Sequence, residues 1–343
     1  MKKHFLTIFL FIGFSAVCQT TITKNYESEE LQDIRTLKIH LPEGYDKDSD
    51  TNYPLAIILD GDYLTDLYKG NATLFSYADK APKQIIVGIE MKQTRKNDTS
   101  FSEINGNLTE ESNAFLNFLK NEVLPYMELN FKTSPFSIVV ANGATSNLIT
   151  HFLKDSQPLF NAYVCLNPAF SKDIVTQINS YQLQKLSAID NTFYFYMSNN
   201  IFIEQKTRSK TAELNAFLSD LKIKNFHYKY DVNTTSPNNI SAIGEDMPKA
   251  MSKIFEIYAG ISPDEFDTKI KDLAPLDAIA YLENKYIEID FLFDASLGIR
   301  DADIFAIEPI VIKKENGNYL KIFGEMILNL YPKSEIGNFY IGK

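Results

Sequence analysis

The feature that most constrains the fold is a series of short segments made almost entirely of apolar residues. A strand needs apolar side chains on both faces only where both faces of its sheet are covered. Five such segments occur, at residues 54–59 (PLAIIL), 85–89 (IIVGI), 137–141 (SIVVA), 162–166 (AYVCL) and 193–197 (FYFYM). They predict a parallel sheet enclosed between two layers of helices.

Amphipathic helical patterns separate these strands. They cover residues 110–129, 144–153, 211–221 and 247–258. Residues 36–41 alternate in polarity and stop at Pro42, which predicts a further strand before the first apolar segment. Strands that alternate with helices predict an α/β fold with a doubly wound, mostly parallel sheet as far as about Gly260.

The chain of 343 residues is long enough for about two domains. Its 34 Lys and Arg residues against 44 Asp and Glu residues give a net charge of −10 without a basic block. That balance argues against nucleic acid as a partner. Two cysteines are too few for a disulfide framework.

The first eighteen residues have the pattern of a signal peptide. Lys2 and Lys3 precede an apolar stretch at residues 5–14, which is shorter than the roughly 20 residues of a membrane-spanning helix. Small residues then lead to a cleavage site after Cys18. The alternative is lipidation of Cys18, although Val17 before it is larger than a lipoprotein site usually takes. We expect export to the periplasm, the cell surface or the medium, with no transmembrane segment in the mature chain.

The pattern changes after residue 262, where most segments become helix-compatible. The sequence therefore predicts a signal peptide at residues 1–18, an α/β domain at residues 19–262 and a mainly helical region at residues 263–343. A helical pair near the end, joined by a Pro-Ser turn at residues 331–334, resembles one tetratricopeptide hairpin. A single hairpin cannot bury its own apolar face, so a helical appendage packed on the sheet is the alternative.

An ordered set of motifs resembles the putative-esterase (esterase D-like) family of the α/β-hydrolases over roughly residues 36–260. The motifs are residues 41–45 (LPEGY), 53–55 (YPL), 59–62 (LDGD), 87–89 (VGI), Arg95 with Asp98, residues 115–126, 159–163 (LFNAY) and 167–168 (NP). The resemblance implies an α/β-hydrolase fold with a serine in a G-x-S-x-G turn, a histidine base, an acid and two oxyanion-binding N–H groups.

The nucleophile turn implied by the resemblance falls on residues 141–145 (ANGAT), which places Gly143 at the serine position. Glycine has no side chain that could attack a substrate. A shifted register would nominate Thr145 or Ser146, which then lie in the first turn of the following helix. The nucleophile position is therefore expected to be degenerate.

The base position falls on Asn239, where relatives carry a His-Gly-Ser-like triplet. Asparagine cannot serve as a base near neutral pH. The acid is expected after the strand at residues 193–197, where residues 198–200 (SNN) bring no carboxylate and Glu204 follows nearby. His40, His151 and His227 are the other histidines of the mature chain. We expect all three to be surface or packing residues.

The resemblance implies that the turn at residues 60–63 lends an oxyanion-binding N–H, and Asp62, Tyr63 and Ala144 are implied as a remnant oxyanion-binding region. No cofactor or metal is predicted, because the sequence has no P-loop, dinucleotide glycine pattern, His-Glu-x-x-His or Cys/His pair at metal spacing. These features favour a non-catalytic binding or scaffold protein of the cell envelope, whose partner is an unknown small ligand or an envelope protein. The alternative is a carboxylic-ester hydrolase that acts on an acylated sugar or siderophore-like ester through an unrecognised nucleophile.

Overall fold

The computed structural model describes residues 20–154, 158–172, 174–178, 183–189, 191–294, 297–312 and 317–342. The predicted signal peptide at residues 1–18, with Cys18, lies outside this range. Within the described ranges, no helix has both the length and the apolar character needed to cross a membrane.

One eight-stranded sheet runs through the described residues. Its strands are β1 (Thr21–Ser28), β2 (Asp33–His40), β3 (Tyr53–Ile58), β4 (Ile85–Ile89), β5 (Thr133–Asn142), β6 (Ala162–Leu166), β7 (Phe193–Asn200) and β8 (Phe226–Asn233). Their order across the sheet is β1-β2-β4-β3-β5-β6-β7-β8. β1 and β2 are antiparallel to their neighbours, and the pairs from β4 to β8 are parallel. The predicted doubly wound, mostly parallel sheet is confirmed.

Helices flank the sheet and form the C-terminal region. They are α1 (Gly61–Tyr77), α2 (Arg95–Asp98), α3 (Glu110–Asn117), α4 (Leu124–Asn130), α5 (Ala144–Thr150), α6 (Ile174–Gln177), α7 (Gln205–Ser219), α8 (Asn239–Ile254), α9 (Pro263–Glu265), α10 (Pro275–Phe293), α11 (Asp301–Ile312), α12 (Gly317–Leu330) and α13 (Glu335–Ile341). A π-helical turn, Phe118–Val123, joins α3 to α4. The helix predicted at residues 110–129 is thus present with a local change of winding.

The core has two layers because successive side chains of a strand point to opposite faces. Leu55 and Ile57 of β3 belong to the layer beneath α3, α4, α5 and α7. Ala56 and Ile58 belong to the layer beneath α1, α8 and α10. All four side chains are buried. The uninterrupted apolar strands of the sequence are explained by this two-sided burial.

The C-terminal helices form a third apolar cluster and also pack on the sheet layer. Phe293 at the end of α10 lies 4.8 Å from Phe136 of β5, measured between ring centroids. Within the region, α12 and α13 approach so closely that a Cβ on Gly324 would lie 2.7 Å from the Gly337 carbonyl oxygen. Phe323 stacks on Tyr340 at 5.3 Å. The predicted helical C-terminal region is confirmed.

Candidate functional site

The turn between β5 and α5 places Gly143 at its apex. Its φ of 66° and ψ of −118° are backbone angles that side-chain-bearing residues rarely adopt. Glycine adopts them freely, since it has no Cβ. The Gly143 N–H donates to the Leu166 carbonyl at 2.9 Å, and the Gly143 carbonyl accepts from the Ala169 N–H at 3.0 Å. The turn has the strand-turn-helix form that a nucleophile elbow requires.

A set of polar groups, which we call the elbow frame, holds this turn: Asp60, Arg95, Asn142 and Thr145. The Arg95 guanidinium donates to the Asp60 carboxylate through Nε and to the Asn142 carbonyl through Nη2 at 2.8 Å. The Thr145 hydroxyl donates to Asp60 Oδ2 at 2.7 Å. Asp60 is only 1% exposed, so its charge is compensated almost entirely by these partners.

Three asparagines, which we call the asparagine cluster, lie beside the elbow at the carboxyl edge of the sheet. Asn167 follows β6, Asn200 ends β7 and Asn239 begins α8. Asn200 Nδ2 donates to Asn239 Oδ1 at 2.8 Å and to Asn167 Oδ1 at 2.7 Å. Asn167 Nδ2 also donates to Asn239 Oδ1 at 3.3 Å. The cluster is neutral and internally hydrogen-bonded.

The contact between Asn200 and Asn239 joins the acid and base positions that the sequence resemblance implies. The sequence places both residues near these positions, but the hydrogen bond between them becomes visible only in the fold. Glu204, the nearby carboxylate, is exposed at the start of α7. A neutral amide pair can orient a ligand through hydrogen bonds but cannot accept a proton from a nucleophile near neutral pH.

The three residues of the implied oxyanion-binding region have different surroundings. The Asp62 carboxylate accepts from the backbone N–H groups of Met91 and Lys92 at 2.7 and 2.9 Å. The Tyr63 N–H donates to the Asp60 carbonyl at 3.2 Å, because it closes the first turn of α1. This N–H is therefore engaged within the first turn of α1. Ala144 is the first residue of α5, where N–H groups have no acceptor within the helix.

The Tyr63 side chain, unlike its backbone N–H, contacts the elbow. It is half exposed, and its hydroxyl accepts from Asn142 Nδ2 at 2.9 Å. Burial, followed by the nearby Asp60 carboxylate, raises the Tyr63 pKa, so this hydroxyl keeps its proton at neutral pH. Sequence reasoning missed this contact, since it depends on the packing of α1 against the elbow. Tyr63 therefore offers a ligand an aromatic side chain with a neutral hydroxyl.

The alternative nucleophiles, Thr145 and Ser146, are both fully buried. The Thr145 hydroxyl belongs to the elbow frame, and the Ser146 hydroxyl lies 3.3 Å from the Leu166 carbonyl oxygen, to which it donates. A nucleophile has to reach the substrate carbon, and neither hydroxyl is exposed to do so.

The three histidines have packing contacts of their own. His40 lies 2.8 Å from the Thr21 hydroxyl, between Nδ1 and Oγ1, and His227 stacks on Tyr194 with ring centroids 5.0 Å apart. Burial, with a smaller effect from Lys154, lowers the His151 pKa to about 3. A histidine with that pKa is a poor base at neutral pH. Within the described ranges, no group of three or more His, Cys, Asp or Glu side chains is placed to hold a metal.

Comparison with known families connects the N-terminal part of the chain to esterases. Residues 28–145 match the model of the putative-esterase family. The matched segment includes Asp60, Arg95 and the turn at Gly143, and it ends at Thr145. Asn200 and Asn239 lie beyond it. No curated protein matches the chain.

Several solved structures share the fold. An uncharacterised protein from Capnocytophaga ochracea is 21% identical, with a TM-score of 0.82 over 94% of this chain and 88% of that one. An IroE-like serine hydrolase from Shewanella oneidensis is 18% identical, with a TM-score of 0.64 over 91% and 98%. A siderophore hydrolase from Aspergillus nidulans is 12% identical, with a TM-score of 0.55 over 75% and 100%. The chain therefore has an esterase-like α/β fold. These matches give the tetratricopeptide resemblance no support.

Proposed function

We propose that the chain is an exported, esterase-like protein of the cell envelope that binds a small ligand or an envelope protein without hydrolysing it. The observation that carries the proposal is the hydrogen bond between Asn200 and Asn239 beside an elbow that has Gly143 at its apex. A triad requires a nucleophile, a base and an acid that orients the base. At the three positions implied for these groups stand Gly143, Asn239 and Asn200, none of which can carry out that chemistry near neutral pH.

The elbow frame supports binding as the retained activity. The carboxyl edge of a parallel sheet is where α/β proteins bind ligands. Here the Asp60–Arg95 pair keeps the turn in shape, and Tyr63 and Asn142 supply hydrogen-bonding groups at its surface. A site without its triad retains only binding and oxyanion stabilisation.

A second candidate is hydrolysis of an acylated sugar or siderophore-like ester. It is favoured by the family match of residues 28–145 and by the fold shared with a serine hydrolase and a siderophore hydrolase. The burial of Thr145 and Ser146 opposes it, because both hydroxyls are engaged with other groups.

Turnover of p-nitrophenyl butyrate distinguishes the two candidates. We expect the purified chain from Gln19 onward to hydrolyse the ester no faster than buffer. Activity that disappears in Ser146→Ala or Thr145→Ala, while the exposed Ser219→Ala control keeps it, would establish the hydrolase and reject the binding proposal.

Export is tested on the full chain in a Gram-negative host. We expect the protein outside the cytoplasm with Gln19 as its first residue, as measured by fractionation and intact mass. A mass increased by acyl chains on Cys18 would instead establish the lipid-anchored form. Retention of the uncleaved chain in the cytoplasm would overturn the export part of the proposal.

A further inference from the structure

A cleft of about 510 Å³ lies between the sheet and the C-terminal helices. Tyr194 and His227, near the starts of β7 and β8, line it on the sheet side, and residues of α9 and α10 line the other side. The starts of these parallel strands are at the amino edge of the sheet, whereas the elbow is at the carboxyl edge. The volume is within the range of small-molecule sites, which often lie between two parts of a chain.

The Tyr194 hydroxyl is the polar group of this cleft that most needs an explanation. The residue is only 2% exposed, and its ring stacks on His227 with the ring centroids 5.0 Å apart. Among the described residues the hydroxyl has no hydrogen-bond partner, although it remains accessible from the cleft. Because polar groups of buried side chains are nearly always hydrogen-bonded, this hydroxyl indicates a partner that enters the cleft.

Two carboxylates stand near the same hydroxyl. Burial raises the Tyr194 pKa, and the carboxylates of Glu256 and Glu288 raise it further. Glu256 follows α8, and Glu288 lies on α10, so the two approach Tyr194 from different elements. The tyrosine stays protonated at neutral pH and its oxygen can still accept a hydrogen bond. The cleft therefore presents three oxygen acceptors around one point.

The lining is acidic overall. It has four carboxylates and two ammonium groups, those of Glu256, Asp264, Glu265, Glu288, Lys269 and Lys285. Glu265 is paired with Lys285 at 3.1 Å. Glu256 is paired at 2.8 Å with Lys253, which lies outside the lining. His227 Nδ1 is 3.6 Å from Glu256 Oε1, but burial lowers the His227 pKa, so the ring is neutral at pH 7 and adds no charge.

Glu288 and Asp264 have no ion-pair partner among the described residues, and Lys269 is the one unpaired lysine of the lining. Partial burial raises the pKa of the Glu288 carboxyl, and Lys285 offsets this effect only in part. A cationic group beside Glu288 would stabilise its ionised form. The charge of the cleft therefore favours a cation over an anion.

A primary ammonium group matches the three acceptors, because it has one positive charge and three N–H donors. Within the described ranges, no group of three or more His, Cys, Asp or Glu side chains is placed to hold a metal, so the cation that fits is organic. The half-buried Ile257 and the ring of Tyr281 add apolar surface to the lining. A matching ligand therefore has a small apolar body as well.

We propose that this cleft binds a small primary amine with an apolar body. Its ammonium group donates to the Tyr194 hydroxyl and to the carboxylates of Glu256 and Glu288, and its body packs on Ile257 and Tyr281. This site is separate from the elbow, so it goes beyond the proposed function and stands or fails independently of it.

Titration of the mature chain with 4-fluorobenzylamine at pH 7, followed by ¹⁹F NMR, tests the proposal. We expect saturable binding and at least about tenfold weaker binding of 4-fluorobenzyl alcohol, which has nearly the same shape without the charge. Equal binding of the two probes would overturn the proposal. So would the absence of saturation up to the solubility limit of the amine.

A methylated probe separates charge from hydrogen bonding. The (4-fluorobenzyl)trimethylammonium ion has the charge of the amine but no N–H donor. We expect it to bind about tenfold more weakly than 4-fluorobenzylamine, since it cannot donate to the three acceptors. Equal affinity would show that charge alone directs binding and would overturn the arrangement around Tyr194.

Variants locate the binding. Tyr194→Phe removes only the unpartnered hydroxyl, and Glu288→Gln removes an exposed carboxylate without an ion pair. Each should weaken binding of 4-fluorobenzylamine by about tenfold. Glu213→Gln, at an exposed position on α7, is the control and should leave binding unchanged. An equal loss in Glu213→Gln would overturn the assignment. If Tyr194→Phe is less stable to urea than the natural chain, Glu288→Gln still decides.

A crystal structure with 4-fluorobenzylamine completes the test. The nitrogen of the amine should lie within hydrogen-bond distance of Tyr194 Oη. Binding of the amine at the elbow, with no amine in the cleft, would overturn the site.

Discussion

The elbow frame is held by opposite charges, whereas the asparagine cluster beside it is held by neutral amides. In the frame, Asp60 is buried between the Arg95 guanidinium and the Thr145 hydroxyl. In the cluster, Asn200 donates to two other amides. The frame therefore keeps the shape of an esterase elbow, while the cluster occupies the positions implied for the acid and the base with amides, which transfer no proton near neutral pH. Shape and reactivity have separate physical origins in this site.

The largest expected effect follows from breaking the elbow frame. Asp60→Ala removes a buried carboxylate, so Arg95 and Thr145 each lose one acceptor and keep only the Asn142 carbonyl. Because Arg95 is partly exposed and can be solvated again, we expect a loss of about 3 kcal/mol in the free energy of unfolding. Urea denaturation measures it. Asp267→Ala, which removes an exposed carboxylate, is the control and should cost about 0.5 kcal/mol or less. Equal losses in the two variants would mean that the elbow frame stabilises the fold no more than an exposed carboxylate does.

The second effect is a pH dependence of the free energy of unfolding, caused by His151 in the segment that follows α5. The His151 pKa is lowered by burial to about 3, whereas the unfolded chain takes up the proton near its ordinary value of 6.5. The contribution of neutral His151 to stability is therefore complete above about pH 6.5 and is lost as the pH falls toward 3. Between pH 7 and pH 5 this loss amounts to about 2 kcal/mol.

The variant His151→Gln isolates that contribution. Urea denaturation at pH 7 and pH 5 should show a smaller decrease in stability for the variant than for the natural chain. His227→Gln, at a partly exposed position, is the matched control and should follow the natural chain more closely. A variant with the same decrease as the natural chain would show that His151 is charged in the folded state.

A smaller effect is expected in the asparagine cluster. Asn200→Ala removes both amide donations and the acceptor for the Phe202 N–H. We expect a loss of about 1–2 kcal/mol, less than for Asp60, since all the partners are neutral. The exposed Asn117→Ala on α3 is the control. A loss larger than that of Asp60→Ala would reverse the comparison between the two regions.

The smallest expected effect is a low rate of ester hydrolysis in a variant with two substitutions. Gly143→Ser together with Asn239→His supplies a nucleophile and a base, and we expect weak hydrolysis of p-nitrophenyl butyrate. The added Cβ lies 3.4 Å from Arg95 Nη2 at a φ of 66°, so a strain of about 1–3 kcal/mol accompanies it. Either single variant should be inactive. Adding Asn200→Asp, which supplies the acid, should increase the rate.

A crystal structure of the double variant provides the control for the restoration. The introduced hydroxyl and imidazole should lie within hydrogen-bond distance. A folded double variant that holds them far apart would show that Gly143 and Asn239 are not the nucleophile and base positions. Equal activity in the natural chain would contradict the non-catalytic proposal.

Much of the fold could be predicted because its signals are local. Residues 55–58 (LAII) are all apolar. Because consecutive side chains of a strand point to opposite faces, such a strand requires a sheet that is covered on both faces. The turn at Gly143 could be placed because a strand runs into a helix within a few residues. The remnant oxyanion-binding region at Asp62, Tyr63 and Ala144 stays a prediction, and the Tyr63 N–H closes the turn at the start of α1 on the Asp60 carbonyl.

The sequence by itself determined the α/β sheet, the helical C-terminal region and the absence of a side chain at Gly143. The tertiary structure alone decided that Asn200 donates to Asn239 across 39 residues, and that Thr145 donates to Asp60 across 85 residues. The physical reason is that propensity and periodicity act over a few neighbouring residues. Contacts between polar groups that are distant in the sequence depend on the register of the strands and the packing of the helices. Local patterns in the sequence therefore do not determine them.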